Sequence, residues 1–138
     1  MKDAMFITIP SHPKFLSVTR AVTGRIGELY EVAEETIEEI KLAVDEACAN
    51  VIKHAYKGDT SKKIVLKYSV TRDAFTVIIE DSGITACKGM IKGRNLDDVR
   101  PGGLGVHFIK KVFDTFEFDK IKGKGNRLTL IRHMQIKI

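Results

Sequence analysis

No stretch of this chain approaches the ~18 consecutive apolar residues of a membrane span, so a membrane-embedded role is excluded at the outset. Cysteine is scarce. Cys48 falls on the apolar side of a helical segment and Cys87 in a loop, which argues against a disulfide framework and for a cytoplasmic protein with free thiols. The N-terminal residues lack a basic stretch followed by an apolar core, so no signal peptide is expected. His12, His54, His107 and His133 are scattered without metal-ligand spacing, which removes the case for zinc. No zinc-finger spacing and no interleaving of basic and aromatic residues speak for direct contact with nucleic acid. Internal repeats and linkers are missing as well.

What remains is the composition of one soluble globular domain, 1–138, with 43% hydrophobic and 30% charged residues. A chain of this length buries ~68% of its unfolded surface on folding. The net charge of +5 is uneven: Glu28, Glu31, Glu34, Glu35, Glu38 and Glu39 crowd one segment, while most Lys and Arg lie beyond residue 52. Such asymmetry fits an anionic ligand or an acidic partner.

Hydrophobic periodicity orders the chain as β-α-α-β-β-loop-α-β-β. Residues 4–9 read as a strand ended by Pro10, with Ser11 as the cap of a helix whose apolar positions are Phe15, Val18, Val22, Ile26 and Leu29. A long helix is expected from Glu34 to Lys57, ended by Gly58-Asp59. Residues 63–71 and 74–80 form a hairpin about Arg72-Asp73, Gly103 to Asp114 a short helix, and 115–121 with 127–136 a second hairpin about Gly123-Lys124-Gly125. Successive strands without crossover helices imply an α+β fold, a largely antiparallel sheet with helices on one face. The segment 82–102, rich in glycine, is too long for an ordinary connection and reads as a lid.

Three motifs carry chemistry. On the long helix, Glu46, Asn50 and Lys53 or His54 form a polar stripe opposite an apolar one of Ile37, Ile40, Val44, Ala47, Cys48, Val51 and Ala55. A carboxylate, an amide and a cation one turn apart suit a metal and its phosphates; a solvated helix face would show the same pattern. Asp81-Ser82-Gly83 ends a strand, where an aspartate accepts from an exocyclic amine and Gly83 leaves room for a flat ring, although the tripeptide also makes an ordinary turn. Arg100-Pro101-Gly102-Gly103-Leu104-Gly105 opens a helix, whose free N–H groups favour an anion. It is neither a P-loop nor a dinucleotide fingerprint, and a loop ending in a helix cap fits it equally well.

Taken together in this order, the motifs resemble those of the GHKL (Bergerat-fold) ATPases. The asparagine box is Glu46-x-x-x-Asn50-x-x-Lys53-His54-Ala55-Tyr56, the glycine boxes are Asp81-x-Gly83 and Gly103-x-Gly105, and Gly125-Asn126-Arg127-Leu128-Thr129-Leu130 fits the closing strand. The nearest branch is that of the bacterial anti-sigma-factor serine kinases. The resemblance implies a two-layer sandwich with a mixed, mostly antiparallel sheet, and ATP and Mg²⁺ as cofactors. It implies Glu46 as general base, Asn50 on the Mg²⁺, Lys53 near the phosphates, Asp81 on the adenine amine and Gly83 under the ring. Gly103 and Gly105 would cradle the β- and γ-phosphates, with Arg100, Gly102, Leu104, Val106, Asn126 and Thr129 completing the nucleotide site. The implied function is partner switching: holding a sigma factor, and phosphorylating a serine of an anti-sigma-factor antagonist so that it lets go. A homodimer is implied too. An ATP-binding anti-sigma factor or scaffold without phosphotransfer is the alternative. The chain departs from the pattern at Ser82-Gly83-Ile84-Thr85, at Arg100 set apart from Gly103, and at Asn126 where many members carry threonine.

Overall fold

The computed structural model describes residues 3–83, 101–121 and 125–138, with 101–104 and 121 described by backbone alone. Strand β1 (Asp3–Pro10) leads through a 3₁₀ turn (Pro13–Phe15) into helices α1 (Leu16–Leu29) and α2 (Glu34–Asn50). A π-helical turn (Val51–Ala55) follows, then strands β2 (Lys63–Val70) and β3 (Ala74–Asp81). Helix α3 (Pro101–Val112) and the hairpin β4 (Thr115–Ile121) and β5 (Gly125–His133) complete the order that periodicity implies. Most of the expected lid, residues 84–100, and the turn 122–124 lie outside the described residues.

The sheet runs β1-β2-β3-β5-β4 with every pairing antiparallel. Connectivity explains this. With two helices between them the chain reverses three times, so β2 returns antiparallel to β1. The single helix α3 makes β4 parallel to β3, and β5 fills the gap between them antiparallel to both. The described residues thus form an α+β fold of one sheet and three helices, as expected, with no parallel neighbours among those strands.

Strands β2 and β3 alternate buried and half-buried positions, so one face of the sheet carries the core. Ile64, Leu66, Tyr68, Val70, Phe75, Val77 and Ile79 point toward the helices and meet Ile37, Ile40, Ala43, Val44, Ala47 and Cys48 of α2. Each fully buried Ile or Phe contributes about 1.5–3 kcal/mol. Helix α1 lies against α2 at Gly27, where a Cβ would overlap the Ile37 side chain.

Two local expectations are corrected. In α1, Val18 and Leu29 are 43% and 60% exposed, whereas Thr19 and Thr23 are fully buried. Their hydroxyls permit it: Thr19 Oγ1 donates to the Leu16 carbonyl, and Thr23 Oγ1 hydrogen-bonds Tyr68 Oη at 2.7 Å. A pattern that counts only apolar residues misplaces such a helix by one position. Ser11 is not the cap either. His12 Nδ1 accepts from the Lys14 N–H, while Ser11 Oγ donates to the Asp59 carbonyl and accepts from the Lys62 N–H. That pair of bonds ties the end of β1 to the loop entering β2.

Candidate active site

The site grows from the C-terminal end of α2. Glu46 and Asn50 lie one turn apart and half-buried. Just beyond Asn50 the helix widens: the Tyr56 N–H donates to the Val51 carbonyl at 3.0 Å, an i→i+5 bond. Lys57 and Gly58 then take φ values of 50° and 85°, and the Gly58 N–H closes on the Ile52 carbonyl. Turns of this kind concentrate at functional sites. The sequence reading had a continuous helix to Lys57, because an extra residue in the last turn leaves no periodic trace. Lys53, inside the wide turn, is exposed.

Opposite this helix end lies the corner where β3 leaves the sheet. Asp81 is 9% exposed, and its Oδ1 accepts from the Gly83 N–H at 2.8 Å and from Asn126 Nδ2 at 2.9 Å. Burial pushes its carboxyl above the usual aspartate range, and the two donors oppose that rise. Asn126 is the cross-strand partner of Asp81 on β5, which gives it a place where threonine was the familiar residue. The Gly83 Cα rests on the π-helical turn, for a Cβ there would stand 2.5 Å from the Ala55 carbonyl oxygen. Gly125, at φ 133°, packs as tightly on the Asp81 carbonyl, a position that only glycine fills without strain.

The third wall is the N-terminal part of α3. A Cβ on Gly105, just past the first turn, would run into the Glu46 carboxylate, so helix and carboxylate are in direct contact. Pro101 has no N–H, which leaves those of Gly102 and Gly103 as the donors at the mouth of α3. Leu104 and Val106 lie far enough into the helix for their N–H groups to bond within it, and the Val106 side chain is 3% exposed, turned inward. Thr129 takes the other face of its strand. Strand alternation puts Asn126, Leu128 and Leu130 on the helix side and Thr129 on the open side. There it lines a hollow of about 410 Å³ with Phe6, Val65, Lys67, Ile78, Glu80 and Arg127. Arg100 lies outside the described residues.

The structure therefore joins Glu46 to Gly105 where α2 meets α3, and Asp81, Gly83 and Asn126 at the β3–β5 end of the sheet, with Gly83 seated on the turn beyond Asn50. The motif match includes Tyr56 without giving it a role; it is 5% exposed and bonded to both the Lys63 carbonyl and the Ser82 N–H. Its signal was a hydroxyl-bearing aromatic just past the end of an amphipathic helix.

Residues 9–132 match the histidine kinase-like ATPase domain family. The serine-protein kinase RsbW of Listeria innocua is 30% identical over 122 residues, 83% of this chain and 78% of that protein. The Bacillus subtilis serine-protein kinase RsbW is 25% identical over 120 residues, 81% of this chain and 75% of that protein. A solved structure of the RsbU and RsbW domains of Rv1364c from Mycobacterium tuberculosis superposes with a TM-score of 0.68 at 16% identity. It covers 99% of this chain, which spans 34% of that longer one. The family match over most of the chain, on a fold with these contacts, places the chain in the histidine kinase-like ATPase family, among its serine-protein kinases.

Proposed function

We infer that the chain phosphorylates a serine of a protein antagonist and holds a sigma factor in alternation with it, using ATP and Mg²⁺. The observation that carries the catalytic part is the contact of Gly105 with Glu46, which sets a carboxylate one turn along α3 from the helix mouth whose N–H groups can meet an anion. The residues present fit the nucleotide. Gly83 and Gly105 let the backbone close directly on Ala55 and on the Glu46 carboxylate, and Asp81 offers a buried carboxylate to an amine. ATP, when bound, supplies the phosphoryl group. Glu46 takes the proton from the incoming serine hydroxyl. Asn50 would hold Mg²⁺, Lys53 would offset phosphate charge, and the N–H groups of Gly102 and Gly103 would donate to the phosphate oxygens. With both described donors on Oδ1, Asp81 would have Oδ2 to accept from the adenine amine. Catalysis of this kind works by positioning and charge stabilisation. The relatives supporting the serine-kinase assignment are named serine-protein kinases. The sigma factor, the antagonist and a homodimer follow from the resemblance of the motifs, and light scattering would read the dimer.

The deciding experiment uses Glu46→Gln, which keeps size and hydrogen bonding but removes the base. We expect near-normal ATP binding by calorimetry and phosphoserine formation on an antagonist domain slowed by ~10²–10⁴-fold. Transfer at the parent rate would remove Glu46 from the mechanism. A parent protein that binds ATP and antagonist but transfers nothing would leave a nucleotide-dependent scaffold.

A further inference from the structure

The antiparallel register of β2 and β3 pairs Ile64 with Asp81, and one further step would set Lys63 opposite Ser82. That rung is replaced. The Tyr56 hydroxyl stands between the two residues, accepting from the Ser82 N–H at 2.9 Å and donating to the Lys63 carbonyl. One phenol thus fills the place of a direct backbone bond, with its donor and its acceptor both used. Tyr56 is also the residue that closes the π-helical turn, through its N–H to Val51. Ring and hydroxyl together join the end of the Glu46–Asn50 helix to the point where β3 leaves the sheet.

The consequence falls on the next residues. With the ladder stopped at Asp81, the chain turns so that the Gly83 N–H folds back onto Asp81 Oδ1 and the Gly83 Cα seats on Ala55. Asn126 grips Asp81 from β5, but nothing in that bond sets the distance between Asp81 and α2; the bonds that cross this gap are those of the Tyr56 hydroxyl, beside the seat of Gly83 on Ala55.

We propose that Tyr56 is a positioning residue for base recognition: its hydroxyl, wedged into the end of the β2–β3 ladder, holds the Asp81–Gly83 corner at the separation from the Glu46–Asn50 helix that lets Asp81 meet the exocyclic amine of a purine. The proposal rests on the reading of Asp81 as the amine acceptor. Without the hydroxyl, the Ser82 N–H and the Lys63 carbonyl can bond directly and the strands zip by one rung. This drags Gly83 away from Ala55 while leaving no buried polar group unpaired. The change is therefore expected to spare the fold and harm discrimination among bases.

Tyr56→Phe tests this, with ATP and inosine triphosphate as probes, since the second lacks the amine. In the parent protein ATP should bind much more tightly, as sites built to pair a polar group reject analogues lacking it. In Tyr56→Phe we expect the ATP dissociation constant to rise ~10-fold or more, that for inosine triphosphate to move less than ~3-fold, and saturated phosphotransfer to persist. The Ser82 amide should stay protected from exchange. Equal weakening of both nucleotides, or of neither, would overturn the positioning role and leave Tyr56 as packing. A parent protein that binds both nucleotides alike would instead overturn the reading of Asp81, and this proposal with it. Should the variant be too unstable to titrate, fluorotyrosine at position 56 keeps the shape and weakens the phenol as an acceptor. The ATP preference should then fall in the same direction, and an unchanged preference would reject the proposal.

Discussion

Asp81 is a residue held at a cost to the empty protein. Its carboxylate is buried beside Asn126 and the backbone of Gly83, and desolvation outweighs the two donors, so its native pKa lies above that of the unfolded chain. The native state then binds the Asp81 proton more tightly than the unfolded state. This residue's contribution to stability accordingly falls as pH rises from the ordinary aspartate range through the raised native value, and stays low at neutral pH. Asp81→Asn keeps an oxygen for both donors and removes the charge. We expect the nucleotide-free variant to melt no lower than the parent at pH 7, and the difference between the two to shrink toward acid. ATP binding should be lost. Thermal scans across pH with calorimetry at pH 7 check this; a variant that melts well below the parent at neutral pH would contradict it. Cys48 shows the same desolvation without function: a thiol buried on α2 with its pKa pushed up to about 12 stays protonated and unreactive.

Two glycines at close approaches separate what an element does for the fold from what it does for the site. At Gly105 an added Cβ meets the far end of the Glu46 side chain, which can swing away. Gly105→Ala should fold with little change in melting temperature, yet lower phosphotransfer ~10²-fold by displacing the base. At Gly83 the added Cβ meets the Ala55 backbone, which cannot move without opening the π-helical turn. Gly83→Ala should cost about 1–3 kcal/mol of stability and weaken nucleotide binding too. Melting curves beside transfer assays read the contrast; equal loss of stability in both variants would refute it. The elements that carry these contacts were legible from periodicity: α2, the two hairpins and α3 all stand where apolar spacing put them, within a few residues. The wide turn after Asn50 was not, nor were the buried threonines of α1. Both depend on where hydrogen bonds close in three dimensions, which spacing does not encode. The strand face that Thr129 takes was illegible for a related reason, since a motif match carries no record of which face a residue occupies.

At the scale of the whole molecule, the candidate site is a seam. Its residues come from α2, the turn beyond it, the ends of β3 and β5 and the N-terminal part of α3, and no single element holds two walls. The carboxylate of Glu46 touches α3, Gly83 touches the turn after α2, and Gly125 touches β3. A ligand filling this seam must therefore stabilise the fold as a unit. At a nucleotide concentration one hundred times the dissociation constant the gain is about 2.7 kcal/mol. With an unfolding entropy of about 2.1 cal/mol/K per residue, a chain of 138 residues should then melt about 9 °C higher. If Asn50 reaches the phosphates through Mg²⁺, the shift at fixed ATP should collapse when the metal is chelated, and Asn50→Ala with Mg²⁺ should resemble the parent without it. Inosine triphosphate with Mg²⁺ should give a smaller shift than ATP, because it lacks the Asp81 contact while keeping the phosphates. Thermal shift assays over these conditions report both ends of the nucleotide in one readout. ATP shifts that are equal with and without Mg²⁺ would remove Asn50 and the metal from the binding mechanism, whatever the fate of Asp81.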